Sequence, residues 1–299
     1  MLLGDNPFNE VDHFSQERAR SRQEITASSV AKTVQSALEN GATGFVFTPT
    51  KKIREALAIM KDSYTPDFGL YPIFPDVTTI MRSASDRGVV GAVLDLLQGE
   101  RTTVKLSTLL KGSSAAMTAN PVRILRAYLM TEMRALGRVT PSSAHLKSVF
   151  LHELISELIV SFDLTELLAE FNAFVRDEFH ALPGIVTRNF CSATEFLKSG
   201  KYGDMVVMAP FNKIGFQMNP SKEACEASLR EKGRFKIIAM SVMAGGSLGL
   251  LEAVQYIQNL SIPVSYVVGV SSEAHAIETF RAINRAIGCV HQPDVRAEE

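Results

Sequence analysis

The sequence predicts a parallel (β/α)8 TIM barrel: one α/β domain over 1–299, with a helical insertion over 78–147 between its third and fourth strands. Three observations predict it. Eight short apolar runs bounded by turn residues recur along the 299 residues. Most are followed by a segment of helical periodicity, which is the alternation of a parallel sheet. No G-x-G-x-x-G turn follows the first run, where an open dinucleotide-binding sheet would carry one. The length fits, because such barrels commonly use about 250 residues as a single domain.

The elements follow in order. "LLGDNPF" reads as a strand that stops at an Asp5-Asn6-Pro7 turn, with Asp12 and His13 in the polar loop beyond. "ITASSVAKTVQSALENG" puts Val30, Val34 and Leu38 on one helical stripe and ends at Asn40-Gly41. "TGFVFTPT" and "FGLYPIFPDV" supply the second and third strands. In the insertion, "TTIMRSASDRGVVGAVLDLLQG" and "PVRILRAYLMTEMRALG" are helical patterns, the first with Val90, Val93, Leu94 and Leu97 at helical spacing. Its basic residues, among them Arg82, Arg87, Arg101, Lys105, Lys111, Arg123, Arg126, Arg134 and Arg138, suit a lid over the mouth, a solvated helical pair, or a contact in a homo-oligomer. "SVFLHELIS", "GIVTRNF", "MVVMAPFN", "KIIAMSVMAGG" and "VSYVVGVSS" complete the barrel. Ser192 with Glu195, Ser221, and Ser271 or Ser272 are the expected helix starts after the fifth, sixth and eighth strands. The tail after Cys289 is expected to fray.

Composition narrows the function. Lys plus Arg is 31 against 32 for Asp plus Glu, a net charge of -1, so no global field draws a polyanion and a dedicated nucleic-acid binder is not expected. The longest nearly uncharged run, Ile237 to Leu251, is too short for a membrane span and is broken by Gly245, Gly246 and Gly249. "MLLGDNPF" has neither a basic nor a long apolar leader region. Three cysteines, Cys191, Cys225 and Cys289, are odd in number and lack C-x-x-C spacing, which suggests reduced thiols in a cytoplasmic protein.

In a parallel barrel the strand C-termini and the loops after them build the site. The polar residues expected there are Asp5, Asn6 and His13; Thr48 and Thr50; Tyr71; His152 and Glu153; Thr187, Arg188 and Asn189; Asn212 and Lys213; Ser241; and Ser271 and Ser272. Adjacent strand residues point to opposite sides, so only one of His152 and Glu153 faces the axis while the strand lasts. A histidine there can act as acid, base or carbonyl polariser, and the carboxylate beside it can orient a ring or an arginine. A core histidine with a barrel-to-helix ion pair fits the same residues. Lys213 could form a Schiff base if buried near the axis, or be a solvated or phosphate-binding ammonium. Asp5, His13, His152 and Glu153 lack any metal-site spacing, and no metal is expected.

The second half of the chain resembles the aldo-keto reductases. "VFLHELI" is similar to that family's fourth strand, which ends in Leu-Ile-His, and "GIVTRNF" to its Gly-Val-Ser-Asn-Phe strand. "MAPFNKIGFQMNPSKEACEASLREKGRFKIIAMSVMAGGSL" and "YVVGVSSEAHAIETF" resemble its last three strands and the loops that hold the cofactor. The resemblance implies that His152 is the active-site histidine and Asn189 the asparagine at the nicotinamide amide. It places Ser241 near the cofactor, with Gly245, Gly246, Ser271 and Ser272 beside its pyrophosphate, and it makes NADP(H) the implied cofactor. The departures are as informative. Phe47 stands near the family's aspartate position, no tyrosine follows it, no lysine ends "LYPIFPDV", Met240 replaces the stacking tyrosine, and Ser272 replaces a basic residue. Three of the four catalytic groups are missing.

The expectation is therefore an enzyme acting on a small polar or phosphorylated molecule at the mouth, by oxidoreductase or by lyase or aldolase-like chemistry. His152 is the proton-transfer candidate, with Asp5 and Glu153 as carboxylate partners. Two alternatives stand beside it: an NADP(H)-dependent oxidoreductase with an altered proton donor, and a non-catalytic ligand-binding or assembly protein.

Overall fold

Strand pairing runs in a closed circle. In the computed structural model, which describes residues 1–9, 25–77, 121–200, 202–231, 233–262 and 264–290, the strands are β1 (Leu2–Gly4), β2 (Gly44–Phe47), β3 (Phe68–Phe74), β4 (Ala144–Leu146), β5 (Ser148–Leu151), β6 (Leu182–Val186), β7 (Val206–Pro210), β8 (Lys236–Met240) and β9 (Ser265–Gly269). β1 pairs with β2 on one side and β9 on the other, β2 pairs with β3, and β5 to β9 follow in order. Both β4 and β5 pair with β3, so they make one stave and the barrel has eight. Every pairing is parallel.

The helices are α1 (Ala27–Glu39), α2 (Lys51–Met60), α3 (Pro121–Val139), α4 (Glu153–Ser161), α5 (Thr165–Phe179), α6 (Phe190–Ser199), α7 (Lys222–Arg230), α8 (Leu250–Gln258) and α9 (Glu273–Val290). Hydroxyls start several of them by accepting a first-turn N–H: Thr26 from Ser29, Thr50 from Ile53, Ser221 from Ala224, and Ser272 from His275. α6 departs from expectation. It begins at Phe190 with Asn189 at the cap, which leaves Ser192 inside the helix. The ring of helices closes where Arg281 Nε and Asn284 Nδ2 of α9 donate to Asn40 at the end of α1, at 2.6 and 2.8 Å. Gly41 follows at φ +113°, and a Cβ there would strike the Asn284 side chain, so glycine suits this corner twice over.

Alternation along the strands divides the core. Leu2, Val46, Phe150, Val186, Val206, Met208 and Ile238 fill the barrel interior. The opposite-parity residues, such as Leu3, Phe45, Phe47, Val149, Leu151, Ile185 and Val207, face the helices. Val30, Val34 and Leu38 are buried on the inner face of α1, as their spacing predicts.

The C-terminal part of the expected 78–147 insertion belongs to the barrel and its outer ring. Pro121–Val139 is α3, which packs between α2 and α5 as a member of the outer ring, and Ala144–Leu146 is barrel strand. Residues 78–120, His13 with Asp12, and the tail 291–299 lie outside the described residues. Among the described residues no helix is long and apolar enough to cross a membrane.

Candidate active site

His152 faces the mouth because of one extra residue. From Leu70–Leu146 to Ile73–Phe150 the pairing advances three residues on β3 but four on the opposite stave, so Lys147 is a bulge. On β4, Leu146 has outward parity and packs with the helix-side core. The bulge switches this, so that Val149 and Leu151 face the helices, Phe150 fills the barrel, and His152 takes the next inward position. His152 also caps α4. Its Nδ1 accepts from Leu154 N–H at 3.2 Å, which leaves Nε2 as the proton-bearing nitrogen, and its own N–H donates to Phe74 O. Burial holds the imidazole below its ordinary range, against the pull of Asp76 and with a push from Arg188. The ring is therefore a neutral donor.

Glu153 turns away from the axis toward β6. Its Oε1 lies 3.0 Å from Arg188 Nε, an ion pair whose N–H direction does not make it a hydrogen bond. Burial raises the Glu153 carboxyl; Arg188 opposes this and Glu157 adds to it.

Glu157, one turn further along α4, organises the loop after β6. Oε1 accepts from Thr187 Oγ1 at 2.6 Å and from the N–H groups of Arg188 and Asn189, and Oε2 accepts from Asn189 Nδ2 at 2.7 Å. Burial alone would raise this carboxyl. The hydrogen bonds from Asn189, Thr187 and the main chain outweigh burial and hold it below the usual range. Thr187, Arg188 and Asn189 thus come together with His152 and Glu153, but Asn189 has its amide N–H committed to Glu157. Sequence reasoning missed Glu157, although its i+4 spacing from Glu153 on a helix was the available signal.

Asp5 lies at the end of β1, 5% exposed, and accepts from Thr48 N and Asn9 Nδ2, each at 2.7 Å. It ties the ends of β1 and β2 together. Burial dominates, and the carboxyl is pushed up to about 6, with Asp76 adding to the rise. Asp76 follows β3 through Pro75 and is the second group missed. It influences both Asp5 and His152.

Several expected positions differ. Tyr71 does not reach the rim, because β3 continues to Phe74. Its ring sits inside the barrel over Gly44 and Gly69, toward the end where the strands begin. Asn212 is at the C-terminal end of β7 but fully buried, with Nδ2 donating to Phe216 O and Oδ1 accepting from Phe216 N, so it pins its own loop. Lys213 is exposed and paired with Glu252 at 2.6 Å, which removes the buried amine a Schiff base requires. Asn6 is exposed and Thr48 half-buried. Ser241 directly follows β8 at φ +52°, with Oγ 3.4 Å from Gln217 Oε1.

For a nicotinamide cofactor, the fit is better at the phosphate end than at the ring end. Gly245 and Gly246 have positive φ in an exposed turn after β8, and a Cβ at Gly246 or Gly249 would meet no heavy atom within 4 Å. Ser271 and Ser272 are exposed where α9 begins, on the neighbouring stave. Backbone N–H groups in such a place suit an anion, although the Ser272 hydroxyl is engaged as a cap. At the ring end, Asn189 offers only Oδ1, and Met240 is half-buried at the barrel top. No cluster of three or more His, Cys, Asp or Glu side chains able to hold a metal occurs among the described residues.

A closed eight-stave parallel barrel with its polar groups at the strand C-termini is the architecture of the aldo-keto reductase fold, and solved structures of that kind superpose on the chain. They include a Pseudomonas aeruginosa protein assigned to the aldo-keto reductases (TM-score 0.57, 11% identity, 95% of this chain and 89% of that one). An aldo-keto reductase from Bacillus halodurans in its holo form gives 0.53, 12% identity, and 96% and 86% coverage. The glycerol dehydrogenase of Gluconobacter oxydans gives 0.51, 9% identity, and 100% and 94% coverage. No protein-family model and no curated protein sequence matches the chain. At these identities the likeness is one of fold.

Proposed function

We propose that the protein is an enzyme acting on a small polar carbonyl or alcohol at the barrel mouth, with oxidoreduction by NADP(H) as its chemistry and His152 as its proton-transfer group. The observation that carries the reading is the placement of His152: it directly follows β5 at the barrel end, and its Nδ1 accepts from Leu154 N–H, so that a neutral imidazole there carries its proton on Nε2. Such a group donates a hydrogen bond to a substrate oxygen and can hand over its proton as negative charge develops there. The family resemblance assigns this role to a tyrosine just after the second strand and a lysine at the end of the third, and neither "TGFVFTPT" nor "LYPIFPDV" supplies one at that place.

Bound at the loops after β8 and β9, NADP(H) would supply the hydride. The chain's own contribution is positional. Glu157 fixes the Thr187–Asn189 loop, Arg188 and Glu153 set the charge beside the imidazole, and the apolar top of the barrel limits water. The fold neighbours support oxidoreductase chemistry as the first one to test.

A ligand-binding protein without turnover is the second reading, favoured by how many rim groups are committed to one another: Asp5 with Thr48, Asn189 with Glu157, Asn212 with Phe216. Fluorescence titration with NADPH, followed by cofactor consumption over a panel of polar carbonyl compounds, separates them. Binding with consumption supports the enzyme, whereas binding alone supports the second reading.

A further inference from the structure

Two thiols that play no part at the mouth stand in the first turns of neighbouring helices. Cys191 is half-buried in the first turn of α6 and Cys225 is buried in the first turn of α7. Three residues on from each, Thr194 and Ser228 touch through their hydroxyl oxygens at 2.8 Å. Side chains that short meet only where two backbones run close together. The i to i+3 spacing then stacks each cysteine on its hydroxyl neighbour along the same seam. Cys225 Sγ is also 3.3 Å from Asn219 O, and Asn219 N–H donates to Arg188 O at 3.3 Å. The seam is therefore joined to the loop that carries Arg188 and Asn189.

From this packing we infer that Cys191 and Cys225 are a reversible dithiol–disulfide pair, oxidised by low-molecular-weight disulfides such as oxidised glutathione. Cys191, the more accessible thiol, enters first. Its thiolate attacks one sulfur of the oxidant, a mixed disulfide forms at Cys191, and one glutathione thiolate leaves. That thiolate takes the Cys225 proton, the Cys225 sulfur attacks Cys191 Sγ, and the second glutathione departs and is protonated by the proton Cys191 gave up. Two protein thiols are oxidised, one disulfide is reduced to two thiols, and all atoms are accounted for. Burial, and after it the neighbouring Cys191, pushes Cys225 up to about 12. Cys225 is thus unreactive until the mixed disulfide stands beside it.

The test is exposure of the full, native chain to oxidised glutathione, followed by thiol counting, intact mass and peptide mapping. Titratable thiols should fall from three to one. The mass should drop by two hydrogens with no adduct, and one peptide should link Cys191 to Cys225, all reversed by dithiothreitol. A Cys225→Ser chain should instead stop at a glutathione adduct on Cys191; if that variant does not fold, the map of the parent decides alone. A persistent adduct on Cys191 in the parent, a link that involves Cys289, or three unreacted thiols overturns the inference.

Discussion

At the scale of single residues, the mouth is built from carboxylates whose environments differ. Asp5 binds its proton more tightly in the folded chain than in the unfolded one, 3.8 rising to about 6. Its contribution to stability is therefore full below the unfolded value and is lost as pH rises through about 6. The shift corresponds to about 3 kcal/mol. Asp5→Asn keeps an acceptor for Thr48 N–H and removes the titration. In urea denaturation the variant should gain stability relative to the parent between about pH 4 and about pH 8, and a gap between the two that does not change with pH would contradict this. Glu157 is the opposite case, stabilised by its partners. Glu157→Ala leaves the Thr187 hydroxyl, the Asn189 amide and main-chain N–H groups without their acceptor, and should cost about 2 to 4 kcal/mol. An unchanged denaturation midpoint would show that the loop does not depend on it.

At the scale of elements, one inserted residue decides which side chains see the mouth. The Lys147 bulge makes β5 present Phe150 and His152 to the axis and Val149 and Leu151 to the helices. Deleting Lys147 asks the stave either to keep its pairing and reverse every face, or to keep its faces and break the ladder. Either outcome places large apolar groups wrongly, and the deletion should abolish the cooperative unfolding transition seen by near-ultraviolet circular dichroism. A variant with the parent's transition would mean that the stave has no fixed register.

The bulge also marks where sequence reading stopped. Alternation and turn chemistry located all eight staves and put Asp5, His152 and Asn189 at strand ends. His152 follows Phe150 at the next inward position of the stave, whereas Glu153 is already the first residue of α4 and pairs with Arg188. Strand length was less legible. A short apolar run does not say where its pairing ends: local pattern puts Tyr71 at a rim that β3 reaches only three residues later, at Phe74. Burial was not legible either. Asn212 and Lys213 are adjacent polar residues after one strand, yet one is sealed against Phe216 and the other paired in solvent with Glu252. Those fates depend on Phe216 and on α8, which local pattern does not reveal.

At the scale of the whole molecule, the barrel brings groups from β1, β3, β5 and β6 to one end although they are separated by up to about 180 residues of chain. The central claim is that this end is an active site in which His152 transfers a proton. His152→Asn isolates the claim, because asparagine is a good helix cap and can accept from Leu154 N–H, so stability should stay within about 1 kcal/mol of the parent. The most direct measurement is NADPH consumption by parent and His152→Asn chains, side by side, over a panel of small polar carbonyl compounds. The parent should consume the cofactor with at least one of them, and the folded variant should bind NADPH as before but turn over at least about a hundredfold more slowly. A His152→Asn chain that consumes NADPH at the parent's rate would contradict the claim.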